Sequence, residues 1–182
     1  DIKEYTNKVL EKNIAFVFQN SKLFKTSIYE NVRLARPESS HEEVMKALEM
    51  AMCGNILDKF ESRENTIIGA SGVHLSGGEM QRIAVARAIL KDAPIVILDE
   101  ASAASDPENE YEMQRAFKAL MKDKTVIMIA HRLSSIRNVD EILFVEEGQV
   151  VERGSHDELM AGQTKYRHFQ DLFNKANEWR LA

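Results

Sequence analysis

The stretch Leu75-Ser-Gly-Gly-Glu-Met-Gln-Arg-Ile-Ala-Val-Ala-Arg-Ala-Ile-Leu-Lys-Asp-Ala-Pro-Ile-Val-Ile-Leu-Asp-Glu100 carries a helix, a stop and a strand in succession. Ile83, Ala84, Ala86, Arg87 and Leu90 fall on related faces at helical spacing, and Pro94 ends the helix. Ile95–Leu98 is an apolar run of strand length, closed by Asp99 and Glu100. A helix packed beside a buried strand is the repeating unit of a layered α/β fold.

Working outward, the same alternation continues on both sides. Upstream, Ile14–Phe18 reads as a buried strand that ends at Gln19. Ser40-His-Glu-Glu43 is a capping box, followed at helical spacing by Val44, Leu48 and Ala51, with Gly54 as the expected stop. A shorter helix is expected over Asn55–Phe60. Glu61–Leu75 reads as loop with turn points at Gly69 and Gly72, and Asp1–Lys12 carries no helix or strand signal. Downstream, Asp106-Pro107 starts a helix that runs to about Met121, and Thr125–Ala130 is the next strand. Leu133–Asn138 reads as a short helix, and Glu141–Val145 with Gln149–Glu152 as a hairpin around Glu147-Gly148. Ser155-His-Asp-Glu158 is a further capping box, and Lys165–Leu181 an amphipathic helix. Strands alternating with helices predict an α/β fold with a mainly parallel sheet.

Composition bounds the function. The chain has 182 residues, 44% hydrophobic and 29% charged, the size and balance of one globular domain. A net charge of −5 without a Lys/Arg block argues against nucleic acid as a partner. The single Cys53 excludes an intrachain disulfide, and no Cys/His metal spacing is present. No apolar run approaches the roughly 18 residues of a membrane span.

Two stretches carry chemistry. In Leu75-Ser-Gly-Gly-Glu79 the glycines let a phosphate approach the backbone, and the helix that follows offers free N–H groups and a positive dipole end. The Ser76 hydroxyl adds a donor. The same residues also read as a plain Ser76/Glu79 capping box. Asp99 and Glu100 sit at the carboxyl end of a strand, where open α/β sheets bind ligands. One carboxylate there can hold Mg²⁺ through its waters and the other can act as general base toward water. A strand ending in two solvated acids is the simpler alternative.

The two stretches together, with Gln81-Arg82 and Ala86-Arg87-Ala88 between them, resemble the ABC ATPase family. Leu75–Glu79 resembles its L-S-G-G-Q signature, and Ile95–Glu100 its Walker B strand with the catalytic Glu. Ala101–Asp106 looks like the D-loop, His131 in Ile129-Ala-His-Arg132 like the H-loop, and Gln19 like the Q-loop. The resemblance implies a P-loop NTPase-like α/β fold. Residues 40–90 would form its helical signature subdomain, 14–19 and 91–160 parts of its catalytic core, and 161–182 a C-terminal helix. It also implies that ATP and Mg²⁺ are used, with Glu100 and His131 catalytic. Gln19, Ser76, Gly77, Gly78, Glu79 and Asp106 would face nucleotide, and Asp99 and Gln19 the metal. His41, His74, His156 and His168 read as surface residues, and Cys53 as helix packing.

Phe24–Asn31 and Val151–Leu159 are similar to exporter sequences. The implied partners are therefore the transmembrane domain of an ABC exporter and a second ABC ATPase domain, at the cytoplasmic face of the cell membrane. Two other classes are weighed against this. A soluble ABC ATPase acting on ribosomes or DNA would show coiled-coil arms or basic extensions, and neither is present. A non-catalytic chain would offer only its signature to a partner's ATP, against which Glu100 and His131 speak.

There are departures from the family pattern. The signature ends in Glu79 rather than the commoner Gln, the D-loop reads Ala103-Ala-Ser-Asp106, and Thr66–Gly72 keeps glycines without the usual acids and Arg. None of the eight glycines is followed by Lys, so the chain holds no G-x-x-x-x-G-K-S/T phosphate loop. The expectation is a segment that starts downstream of that loop and is inactive alone; a relative that naturally lacks the loop is the alternative. In the family the P-loop strand lies beside the strand expected at Thr125–Ala130, which would here have one open side.

Overall fold

The computed structural model describes residues 1–18, 21–69, 72–99, 107–130 and 136–178. They form two compact units, Asp1–Ile129 and Ala130–Ala182.

The first unit is built on three parallel strands. β1 (Ile14–Val17), β2 (Ile95–Asp99) and β3 (Thr125–Ile129) lie in that order, with Phe16, Ile97 and Ile127 in one register row. Strand alternation splits the sheet into two faces. Ala15, Val17, Val96 and Leu98 are buried in the main core, whereas Phe16, Ile127 and Ile129 stay about half exposed (50%, 53% and 50%). The chain is thus α/β with a parallel sheet, in keeping with the ABC ATPase fold.

Helices cover the buried face. α1 (Asn7–Asn13) leads directly into β1, and α2 (Ile28–Arg33), α3 (His41–Met50) and α4 (Gly54–Leu57) follow. α5 (Gly77–Lys91) precedes β2, and α6 (Pro107–Met121) joins β2 to β3. α5 is the pillar of the unit. Ile83, Val85, Ala86, Ala88 and Leu90 are buried, as are the polar Glu79, Gln81 and Arg82. A helix buried all round sits inside its domain, not on its surface.

Local chemistry sets the boundaries. The capping boxes expected at Ser40/Glu43 and Ser76/Glu79 both form. α3 ends in a Schellman turn, with Cys53 N–H bonding Leu48 C=O and Met52 N–H bonding Glu49 C=O. Met52 takes the left-handed position (φ 57°) that closes the turn, and Gly54, the expected stop, opens α4. Asp1–Lys12 is not featureless: Ile2–Glu4 is a 3₁₀ turn and α1 is capped by Thr6. No residue of either element is buried, so no apolar periodicity could reveal them. Within the expected loop 61–75, Arg63–Asn65 is a 3₁₀ turn and Gly72 is sterically required. A Cβ at Gly72 would lie 2.2 Å from the Ile67 carbonyl oxygen.

The second unit is a hairpin and two helices. β4 (Ile142–Glu146) and β5 (Gln149–Gly154) pair antiparallel across Glu147-Gly148, both at positive φ (48° and 77°), the pattern of a type I′ turn. α7 (His156–Ala161) starts at the expected Ser155/Glu158 capping box, and α8 (Lys165–Glu178) follows. Ile142, Leu159 and Tyr166 form the small core. His156 is not a free surface residue: it is half-buried, and its Nδ1 lies 2.9 Å from the Tyr166 hydroxyl, which accepts from Gln170. Leu133–Ser135 of the expected short helix lie outside the described residues.

Candidate functional site

Leu75–Glu79 occupies the N-terminus of α5. Ser76 Oγ accepts from Glu79 N–H (3.2 Å), and Glu79 Oε2 accepts from Ser76 N–H (2.7 Å). Ser76 thus keeps its hydroxyl proton available to an incoming acceptor. The N–H groups of Gly77 and Gly78, in the first helical turn, have no partner among the described residues.

The two glycines are not demanded by the fold. A Cβ at Gly77 would meet nothing within 4 Å, and one at Gly78 only the Asn109 side chain at 3.9 Å. Neither has positive φ. Gly72, by contrast, is forced by its neighbours. Ser76 and Gly77 are exposed, so the open donors face solvent. Space beside unpaired N–H groups at a helix N-terminus suits a phosphate.

Glu79 itself is almost buried, at 6% exposure. Its other carboxylate oxygen accepts from Lys59, which follows α4. Burial acts to raise the carboxyl. The Lys59 ammonium and the Ser76 donors outweigh it and hold Glu79 below the ordinary glutamate value.

Two arginines of α5 fix this turn against the rest of the unit. Arg82, 1% exposed, donates to Met52 C=O (3.0 Å), Asn55 Oδ1 (3.3 Å), Asn109 Oδ1 (3.0 Å) and the Glu112 carboxylate. Asn55 Nδ2 donates to the same carboxylate. One buried cation therefore joins α4, α5 and α6, and it places Asn109 beside Gly78. Arg87 reaches the other way, to Asn31 C=O (2.7 Å), Asn31 Oδ1 and Lys22 C=O (2.9 Å), with its guanidinium over the Phe24 ring at 5.4 Å. Desolvation lowers the Arg87 pKa from its usual value. Cys53, buried in the same core, has its thiol pushed up to about 12 by burial against the opposing charge of Arg82. It is packing, not a nucleophile.

The carboxyl ends of the three parallel strands, Val17, Asp99 and Ile129, lie along one edge of the sheet. Asp99 is half-buried there, and its carboxylate has no partner among the described residues. Gln19, Glu100 and His131 follow those ends in sequence; they and Asp106 lie outside the described residues. Among the described residues no three His, Cys, Asp or Glu converge as a metal cage. A lone strand-end carboxylate suits Mg²⁺, which keeps several of its waters and takes few protein ligands. Sequence reasoning missed Lys59, Asn55, Asn109 and Glu112. Lys59 had one signal, the glutamate at position 79 that calls for a cation.

The chain is also similar to known proteins. The ABC transporter family model matches residues 1–103. An ATP-dependent lipid A-core flippase of Pectobacterium atrosepticum is 47% identical over 167 residues, covering 91% of this chain and 29% of the relative. That of Salmonella paratyphi A is 47% identical over 173 residues (94% and 30%). A beta-(1→2)glucan export ATP-binding/permease protein of Rhizobium johnstonii is 48% identical over 159 residues (87% and 27%). The chain spans less than a third of the length of these relatives. No helix among the described residues is long and apolar enough to cross a membrane. With a match over more than half of its length and exporter relatives at this identity, the chain belongs to the ABC transporter family, with nucleotide-binding-domain sequence of the exporter type.

Proposed function

We propose that this chain contributes the phosphate-facing signature and the hydrolytic strand of an ATPase domain that powers substrate export. The observation that carries the reading is the open turn Ser76–Gly78: unpaired N–H groups, an available hydroxyl proton, and glycines that internal packing does not require. That turn would receive the γ-phosphate of ATP held on a second, paired ATPase domain, identical or different. Glu79 and Asp106 complete the nucleotide-facing set. Glu100 acts as general base toward the attacking water, and His131 contacts the γ-phosphate and orients that water. Asp99 and Gln19 would hold Mg²⁺, which when bound offsets phosphate charge. A transmembrane domain would take up the closing and opening of the paired domains, at the cytoplasmic face of the membrane. Residues 40–90 would form the helical subdomain, 14–19 and 91–160 the core, and 161–182 the C-terminal helix.

Residues 1–182 hold no phosphate loop, so calorimetric titration of this segment with Mg-ATP is expected to show neither micromolar binding nor turnover. In the full-length transporter, Glu100→Gln should slow hydrolysis by about 100-fold or more while ATP still binds. Ser76→Arg should block closure by crowding the γ-phosphate. Unchanged steady-state ATPase activity in either variant would overturn the corresponding assignment.

A further inference from the structure

The phosphate-facing turn has an electrostatic problem. An anion is expected at the N–H groups of Gly77 and Gly78, yet the next residue is a nearly buried carboxylate. A negative charge at the third helical position suits the helix dipole but repels a polyphosphate in the same place. Glu79 uses both oxygens: Oε2 accepts from Ser76 N–H, and Oε1 from Lys59 Nζ. A glutamine at this position would accept from Ser76 with its single oxygen. Its other terminal group is a donor and cannot face an ammonium. Lys59 therefore matches glutamate and mismatches glutamine. Its side chain is 56% exposed while that of Glu79 is 7% exposed, so the lysine reaches from solvent to cover the acid.

We propose that Lys59 is a positioning residue for the phosphate-facing turn, neutralising and clamping Glu79 so that the N-terminus of α5 accepts an anion while carrying a glutamate. This inference rests on the reading of that turn as a γ-phosphate site. Without Lys59 the carboxylate stays beside the N–H groups with its charge uncompensated. The cost falls on nucleotide engagement more than on the chemical step, because Lys59 lies behind Glu79 and not at the reacting atoms.

The test is steady-state hydrolysis of Mg-ATP by the full-length transporter carrying this segment, with Ser76→Arg run alongside. Lys59→Met is expected to raise KM for Mg-ATP by about tenfold or more, relieved by salt, with kcat within about threefold. Lys59→Arg should restore KM. In a Glu79→Gln background Lys59→Met should raise KM no further, since the charge it compensates is gone. An unchanged KM, or the same rise in the Glu79→Gln background, would overturn the proposal. Ser76→Arg separates the two readings. If it leaves hydrolysis untouched, the γ-phosphate site itself is wrong. If it abolishes hydrolysis while Lys59→Met changes nothing, only the role of Lys59 is wrong. Carboxyl-carbon NMR of Glu79 gives a readout free of activity. The group should titrate below an ordinary glutamate with Lys59 present and move up in Lys59→Met; a Glu79 titration indifferent to Lys59 would also overturn the proposal.

Discussion

Two glycines in one short segment do different work. Gly72 is wedged against the Ile67 carbonyl, where a Cβ would sit at 2.2 Å, while Gly77 has open space around its Cα. Gly72→Ala should therefore destabilise the fold, whereas Gly77→Ala should leave stability unchanged or slightly raised, since Ala is the better helix former. In the full-length transporter Gly77→Ala should still lower ATPase activity, because the new methyl occupies the approach to the N–H groups. Urea denaturation beside activity assays checks both; a Gly77→Ala variant with full activity would count against the phosphate reading. Arg82 belongs to the same scale. Removing a buried cation from its carboxylate and amide partners typically costs about 3–5 kcal/mol. Glu112 keeps 21% side-chain exposure, so the lower end, about 3 kcal/mol, is expected for Arg82→Met. A shift in urea midpoint worth under 1 kcal/mol would show that water replaces the lost partners.

At the scale of elements, three helices begin in the same way. Ser40/Glu43, Ser76/Glu79 and Ser155/Glu158 each close a reciprocal box. All three carboxyls lie below the ordinary value of 4.5. Backbone N–H donation from Ser40 and Ser155 leads for Glu43 and Glu158, and for Glu79 Lys59 and Ser76 overcome burial. A depressed folded-state pKa adds stability that is fully present above the unfolded value and lost as pH falls through the folded value. Thermal stability should thus fall as pH drops below about 4.5, and Glu79→Gln should flatten that fall. A Tm equally pH-dependent in wild type and variant would show that Glu79 is not a contributor. These boxes were legible because all their information lies within four residues, and so was the Glu147-Gly148 turn. α1 was not, since Thr6 caps it without an apolar stripe to mark it. Arg82 and Arg87 were legible only as helix positions. Their partners lie 27 to 65 residues away in sequence, and only the folded chain brings them together. At the site, the donors of Ser76–Gly78 could be read from composition, whereas the counter-charge on Glu79 required the fold.

On the scale of the whole molecule, the sheet of the first unit is half-dressed. One face packs on α5 and the main core. The other carries Phe16, Ile127 and Ile129, each about half exposed, with Phe18 (55%) continuing past β1 and its ring stacked on Phe16 at 5.7 Å. Ile97 lies in register between Phe16 and Ile127, so the apolar surface is continuous across all three strands. Among the described residues β3 pairs only with β2, which leaves backbone N–H and C=O groups along its other side open. Apolar patches of more than a few hundred Å² mark interaction surfaces, and an open apolar edge is a template for pairing with another chain. Residues 1–182 on their own are therefore expected to self-associate through this face and edge. Light scattering should report dimers or larger species at micromolar concentration. Phe16→Ser with Ile127→Thr should shift the distribution toward monomer without unfolding the unit, because both side chains point away from the main core. Amide exchange gives the second readout: Thr125–Ile129 should be protected in the associated form and more labile on dilution. A monodisperse wild-type monomer with strongly protected amides through β3 would overturn this expectation.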